Sequence, residues 1–493
     1  MSAWPETRLT IDGRLVEAQH GATYPNIDPS TGQPAGVAAD ASPADVERAL
    51  AAARRAFDET SWPHDLDLRV RGLRQLETAL RDHLPELTEL TMREVGAPPS
   101  ACDVVHLGEP LEFLPYYASL AEGYAWHQPL GEADTVGGRA DRWIEREPIG
   151  VVAAITPWNV PTQINLAKVA PALAAGCSVV LKPAPQTPWS ALALGRLVTE
   201  HTDIPAGVLN VVSAADPTIG AQLTEDPRVD MISFTGSTAT GKTIMRAAAE
   251  HVTKVFLELG GKSAMILLDD LDDLAAPAMT AAFGTAMVCG QGCALSTRIL
   301  IPRHRYAEVV DTIATMFASI TTGPPTEAGV LMGPLIDVRQ RERVEAYVRS
   351  AVEDGARVVC GGARPPGLDA GAFYLPTLLA DVTPDMRVAR EEIFGPVLVA
   401  IPFDDDEDAI RIANDSIYGL SGHVFADDEE RALAVARRIR TGTISVNGGI
   451  WYGADVPFGG YRQSGIGREM GVAGFEEYLE TKVLARPVSG ADR

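Results

Sequence analysis

The stretch G-V-V-A-A-I-T-P-W-N-V-P, residues 150–161, decides the fold. Its first six residues make a short continuous apolar run, and prolines at 157 and 161 interrupt the chain before a helical pattern starts. Similar runs recur as C-S-V-V-L at 177–181, V-L-N-V-V at 208–212, M-I-S-F at 231–234, V-F-L-E-L at 255–259 and A-M-I-L-L at 264–268, interleaved with helical segments. Continuous apolar strands alternating with helices predict a parallel sheet covered on both faces. Sheets of this kind take their ligands at the carboxyl ends of the strands.

A second alternating block follows, with helices at 275–288, 305–320 and 432–440 and strands at 299–301 and 397–402. It is long enough for a second α/β domain. Upstream, residues 42–57 read as an amphipathic helix opened by Ser42, Pro43 and Asp45, and residues 69–95 as a further helical region with leucines along one stripe. Two segments look like appendages too small to fold alone: 135–147, which has strand-like alternation, and the tail after Phe475. Pairing with each other or with another subunit would satisfy both.

The chain has 493 residues, 46% of them hydrophobic, and a formal net charge of −24. This is a globular composition whose field repels nucleic-acid phosphates and anionic lipid, so neither is an expected partner. The most apolar region, 150–180, is broken by Pro157, Pro161, Lys168 and Pro171, which argues against a membrane span. The first ten residues lack the apolar core of a secretory signal, so a cytoplasmic location is expected. Five cysteines, at 102, 177, 289, 293 and 360, show no repeated pairing pattern and fit a reducing compartment.

Three residues carry candidate chemistry. Cys293, in G-Q-G-C, lies on a glycine-rich turn between a helix and a strand, where a sulfur can be presented to a ligand; the alternative is a buried structural cysteine. With Cys289 it lacks the companions a metal site needs, and no metal is expected. Glu258 ends a buried strand, where desolvation would raise its pKa and suit it to act as a base; the alternative is a salt bridge to Lys254 or Lys262. Asn159 follows the strand at 150–155 and could give an amide N–H to an oxyanion, or simply form an Asx turn. A rival signal is G-S-T-A-T-G-K-T at 236–243, which satisfies the P-loop pattern, with Asp269 as a Walker B candidate. A helix N-terminus holding a phosphate or pyrophosphate is the weaker claim common to both readings.

Taken together, T-P-W-N at 156–159, K-P at 182–183, F-T-G-S at 234–237, L-E-L-G-G-K at 257–262, G-Q-G-C at 290–293, E-E-I-F-G-P at 391–396 and P-F-G-G at 457–460 resemble the NAD(P)-dependent aldehyde dehydrogenases of the hydrolytic superfamily. The resemblance implies two Rossmann-like open parallel-sheet domains and a small β oligomerisation element. The cofactor domain would comprise 1–129 and 149–260, the catalytic domain 261–458, and the bridging element 130–148 and 459–493. It implies Cys293 as nucleophile, Glu258 as base and Asn159 as oxyanion donor beside the Cys293 N–H. It also implies Lys182 at the adenosine ribose, Gly236, Ser237 and Gly241 along the pyrophosphate, and Glu392 and Phe394 at the nicotinamide ribose and ring. Thr156, Trp158 and Leu259 complete the cofactor-binding set, and homodimers or homotetramers are expected. Under this reading the substrate is a small-molecule aldehyde and the P-loop match is coincidental. Glu258 also separates the chain from CoA-acylating relatives.

Two departures bear on the cofactor. Pro185 stands where NAD-preferring relatives often carry a Glu, so NADP is possible beside NAD. Asp216, just past the strand at 208–212, is expected to add negative charge near the adenosine end and disfavour NADP. Val160 and Ala167 in place of bulky aromatics, with Trp451, Tyr452 and Phe458 near the tunnel mouth, predict a roomy apolar channel for medium-chain or aromatic aldehydes.

Overall fold

In the computed structural model, which describes residues 5–488, the runs read from the sequence become strands of two open sheets. The first has eight strands in the order Gly465–Ile466, Lys254–Glu258, Met231–Thr235, Val151–Ile155, Ser178–Lys182, Leu209–Val211, Leu9–Ile11 and Arg14–Val16. Its five inner strands run parallel, and the flanking ones antiparallel. Val151–Ile155 comes first of these five in the chain yet lies between the second and the fourth, so the winding reverses there. A crevice opens beyond the carboxyl ends of strands at such a reversal, where ligands bind. Thr156–Asn159 and Gly236–Ser237 emerge on its two sides.

The second sheet has seven strands in the order Arg357–Cys360, Thr377–Ala380, Val397–Phe403, Ser296–Pro302, Ser263–Leu267, Gly422–Phe425 and Ser445–Val446, parallel except for the first. Its two faces are covered by separate apolar clusters, whereas the first sheet and the N-terminal helices share one. The chain is thus the predicted α/β architecture of two Rossmann-like sheets. They are joined between Glu258 and Ser263 by Leu259-Gly260-Gly261-Lys262 alone in that part of the chain.

Local chemistry explains the element ends. Ser42 and Asp45 form a reciprocal capping box on the helix Pro43–Glu59, as their spacing predicts. The region expected as one helix over 69–95 is two, Leu66–Asp82 and Leu84–Glu94, because Pro85 starts a new helix and its ring cannot continue the preceding one. Pro161 opens the helix Pro161–Ala175, and Gly176, at φ +99°, ends it. The helix expected at 432–440 runs instead from Glu429 to Ala436, capped by Asp428.

The two appendages pair within one chain. Leu479–Pro487, Gly138–Pro148 and His127–Thr135 form a three-stranded antiparallel sheet in that order. Residues 459–478, grouped with the bridging element in the sequence reading, lie against the first sheet: Gly465–Ile466 pairs with Lys254–Glu258, and Phe475 is fully buried in the first core. Among the described residues no helix is long and apolar enough to cross a membrane.

The helix after Lys182, Pro188–His201, is held at its start by a buried carboxylate. Glu94 accepts from the backbone N–H groups of Trp189 and Ser190 at 2.9 and 3.0 Å and from Asn26 Nδ2 at 3.3 Å. Removing it leaves these donors without partners in a dry setting. Glu94→Ala is expected to destabilise the chain by about 2–4 kcal/mol, read from the midpoint of denaturant unfolding.

Candidate active site

Cys293 and Glu258 come together at the seam between the sheets. Glu258 is the last residue of its strand and is 1% exposed, while Cys293 is half-buried on the turn before Ser296–Pro302. The thiol and the Glu258 carboxyl are close enough for each to act on the other's titration. Two glycines permit this closeness. A Cβ at Gly261 would sit 2.4 Å from the Cys293 carbonyl oxygen, and one at Gly260 2.5 Å from Glu392 Oε2. The approach to Cys293 is strained: Val288 and Cys289 stand at φ +45° and +54°, which shortens the expected helix to Ala275–Ala286.

Burial, and then the charge of Glu469, holds the Glu258 carboxyl well above the usual carboxylate range. Burial, and then Glu258 itself, pushes the Cys293 thiol up. Two negative charges this close in a dry site are costly, so the pair favours keeping one proton between them. Glu258 forms neither salt bridge considered from sequence: Lys254 pairs with Glu477 at 3.2 Å, and the Lys262 ammonium is buried with no hydrogen-bond partner. Glu258 Oε1 is itself without a partner, facing the thiol's surroundings as a free acceptor.

Asn159 reaches the same place. Its Nδ2 donates to the Gln291 carbonyl at 2.8 Å, which holds the amide against the cysteine turn and leaves one N–H unassigned. The Asx turn considered from sequence does not form. Thr156 Oγ1 donates to Asn165 Oδ1 at 2.7 Å, and Trp158 meets the Phe394 ring edge-on with centroids 5.2 Å apart.

The residues expected to hold a cofactor line the crevice at the winding reversal. Ser237 caps the helix Thr238–Ala249, accepting from Thr240 N at 3.2 Å, and Gly241 lets Leu259 pack where a Cβ would stand 2.7 Å from its Cδ2. Lys182 is buried, donates to the Pro183 carbonyl at 3.1 Å, and is pushed down to about 8 by that burial while the charge of Asp216 opposes it. Glu392 accepts from Gly261 N at 2.9 Å, and its loop is fixed by Arg343 on the Glu392 carbonyl and Gln340 on the Phe394 carbonyl, at 2.8 and 2.6 Å.

The P-loop reading does not survive the topology. Lys242 donates to Gln463 Oε1 at 2.8 Å, and Asp269 pairs with Arg431 at 2.7 Å beyond a strand of the other sheet. A Walker pair needs both residues at strand ends of one sheet, and here they follow strands of different sheets. No cluster of His, Cys, Asp or Glu among the described residues could hold a metal ion.

Sequence reading missed a buried ion pair behind the base. Lys168, wholly buried in the helix after Asn159, lies 2.9 Å from Glu469 and over the Phe256 ring. A lone lysine in an otherwise apolar helix was the visible signal; its partner, on a distant loop, was not. Gln163 and Tyr452 were also missed as a pair: Gln163 Nε2 donates to the Tyr452 hydroxyl. Trp451 stacks on Phe458 with ring centroids 5.7 Å apart.

The profile of the aldehyde dehydrogenase family matches residues 15–484, and the chain belongs to this family. A 3-succinoylsemialdehyde-pyridine dehydrogenase of a Pseudomonas species is 42% identical over 96% of this chain and 97% of its own length. The crystal structure of a Mycobacterium tuberculosis aldehyde dehydrogenase complexed with NAD+ superposes with a TM-score of 0.93 at 42% identity, covering 98% of this chain and 99% of that one. A betaine aldehyde dehydrogenase from Staphylococcus aureus in complex with NAD+ gives 0.93 at 35% identity, covering 97% and 94%. The protein is an aldehyde dehydrogenase, an oxidoreductase of aldehydes.

Removing Lys168 would leave Glu469 buried and unpaired beside Glu258. Lys168→Met is expected to cost about 3–5 kcal/mol, measured as a lowered unfolding midpoint.

Proposed function

We propose that the protein oxidises an aldehyde to a carboxylic acid with NAD+, through a covalent intermediate on Cys293 that Glu258 helps to hydrolyse. The observation that carries this reading is the meeting of Cys293, Glu258 and Asn159 at one point on the seam. The crevice residues fit a dinucleotide. Lys182, with the Pro183 carbonyl and Asp216 near it, offers a donor and acceptors for ribose hydroxyls, and Ser237 starts a helix of twelve residues toward which a pyrophosphate can point. Glu392, whose Oε1 accepts from Gly261 N, has acceptor capacity left for a second ribose. When bound, NAD+ supplies the acceptor for the aldehyde hydride.

The chain's own residues do the rest. Glu258 takes the Cys293 proton, and the thiolate forms the bond to the carbonyl carbon. Asn159 Nδ2 and the Cys293 N–H then donate to the resulting oxyanion. Once the carbon is a thioester and Glu258 has passed its first proton to solvent, Glu258 removes a proton from water, the new C–O bond displaces the Cys293 sulfur, and the acid leaves. Lys168 limits how far Glu469 raises the base, because its charge opposes that of the carboxylate.

Negative charge at Asp216, beside Lys182, disfavours a 2′-phosphate and so favours NAD over NADP. We assign the bridging role to the three-stranded sheet, whose outer strands Leu479–Pro487 and His127–Thr135 each pair on one side only and expose Leu130 and Val483. It would join copies into dimers or tetramers, which light scattering reads directly.

Absorbance at 340 nm with a panel of aldehydes and NAD+, without CoA, tests the reading. Cys293→Ala is expected to abolish turnover, Glu258→Gln to lower kcat by roughly 10²–10⁴, and Asn159→Ala by roughly 10²–10³. Retained NADH formation by Cys293→Ala would exclude the mechanism. The pH profile follows from the raised pKa values. Both Cys293 and Glu258 must lose a proton to act, so the rate climbs as pH rises through their elevated values and the optimum is alkaline. A rate that falls from mildly acidic to mildly alkaline pH contradicts this assignment.

A further inference from the structure

We propose that the hydrogen bond between Ser296 and His423 fixes the strand register that places the Cys293 thiol, which makes both of them positioning residues of this aldehyde dehydrogenase. The inference rests on the reading of Cys293 as the point of attack and adds the device that holds it there.

The turn that carries Cys293 is held on each side by side-chain bonds. Before the thiol, Gln291 Oε1 accepts from Ile336 N at 2.9 Å, its Nε2 donates to the Val288 carbonyl at 3.1 Å, and its own carbonyl accepts from Asn159 Nδ2 at 2.8 Å. After the thiol, Ser296 Oγ and His423 Nδ1 lie 2.9 Å apart, with either group able to donate. The bond inside that span, from Leu295 N to the Gly292 carbonyl, is long at 3.4 Å. Cys293 therefore takes its position from the two flanking anchors more than from its own turn.

The second anchor works across a strand, because Ser263–Leu267 lies between Ser296–Pro302 and Gly422–Phe425. Ser263 pairs with Ser296 but Ala264 pairs with Arg298, so Thr297 is an extra residue in the ladder. Bulges are rare between parallel strands, and beside a reacting group they re-aim a side chain. In a regular strand, residues 296 and 298 would share a face. Here Arg298 pairs with Ala264, which packs in one apolar cluster, whereas Ser296 turns to the face of Met265 and its neighbour His423, where the other cluster lies. The extra residue is what lets Ser296 meet His423.

Downstream of the bulge the strand cannot slide, because buried Arg298 donates to the Lys262, Ile412 and Ala413 carbonyls at 2.8, 3.1 and 3.0 Å. Upstream, the hold is the Ser296–His423 bond. The imidazole is itself oriented by Phe425, a core residue on which it stacks with centroids 6.4 Å apart and planes 6° from parallel. Burial pushes His423 down to about 4, so at neutral pH the ring carries no charge and keeps one donor and one acceptor nitrogen. Without the bond the bulge can relax, and Ser296 with the turn before it would shift along the strand by up to one residue, about 3.3 Å. A misplacement of about 1 Å is already enough to cost roughly 10²-fold in rate.

The test uses the full chain with NAD+ and an aldehyde it oxidises, together with alkylation of Cys293 by iodoacetamide, followed on the peptide that contains it by mass spectrometry. Ser296→Ala and His423→Phe are each expected to lower kcat by about tenfold or more while the KM for NAD+ stays unchanged. Alkylation of Cys293 should slow in both, because the thiol is drawn away from Glu258. The double variant should be no worse than either single one, since all three lose the same bond. His423→Asn and Ser296→Thr, which keep a polar partner at each end, should restore most of kcat and so separate the placing of the thiol from a general loss of folding. Unchanged kcat and alkylation in both single variants, a loss that neither conservative variant restores, or a rise in the KM for NAD+ that matches the fall in kcat would each overturn the proposal while leaving aldehyde oxidation standing. No NADH from the unaltered chain with any aldehyde would instead remove the reading beneath it, and the inference with it.

Discussion

The constraint on which the site depends is the absence of two side chains. Gly260 and Gly261 let the strand ending at Glu258 pass under Glu392 and against the backbone of Cys293, at separations a Cβ would forbid. From that closeness follow the upward shifts of the Glu258 acid and the Cys293 thiol, the Gly261 N–H that orients Glu392, and the joining of two sheets by four residues. Ser464 reinforces the crossing by donating to the Gly260 carbonyl at 2.7 Å and accepting from Gly419 at 3.0 Å. The seam is thus built from backbone, and the side chains proposed to react project from it.

Electrostatics in this frame are arranged by depth. Glu258 and Cys293 titrate upward because water is excluded, and Glu469 adds to the effect while Lys168 opposes it. A base with a raised pKa is a better match to proton transfer near neutral pH than an exposed carboxylate. The crevice proposed for the cofactor has the opposite character, with Asp216 exposed and Lys182 buried near it. The two environments share the strand ends and the loop carrying Glu392.

Much of this was legible in the residues. The apolar runs at 150–155, 231–234 and 255–259 are strands because buried parallel strands have no polar face to alternate, and their order in the chain already placed Asn159 and Glu258 at carboxyl ends. The family resemblance carried by the motifs brought Cys293 to the same place. What could not be read was contact across long stretches of sequence. Glu469 joins Lys168, and Tyr452 joins Gln163, through loops whose paths depend on packing rather than on local propensity. Val160 and Ala167 report on volume, whereas the contact of Gln163 with Tyr452 comes from a residue on another element. The break at His83 shows the reverse case, a local signal in Pro85 that the leucine stripe on either side masked.

The loop that supplies Glu469 has a consequence for how the protein comes into being. Its backbone pairs with Phe458, and its side chain pairs with Lys168, laid down much earlier in the chain. During synthesis the cysteine turn and Glu258 emerge first, with Lys168 still waiting for its counter-charge. The proposed reactive centre is therefore completed only when this late segment docks, so a half-made chain would present the Cys293 thiol without the electrostatic setting that surrounds it in the fold.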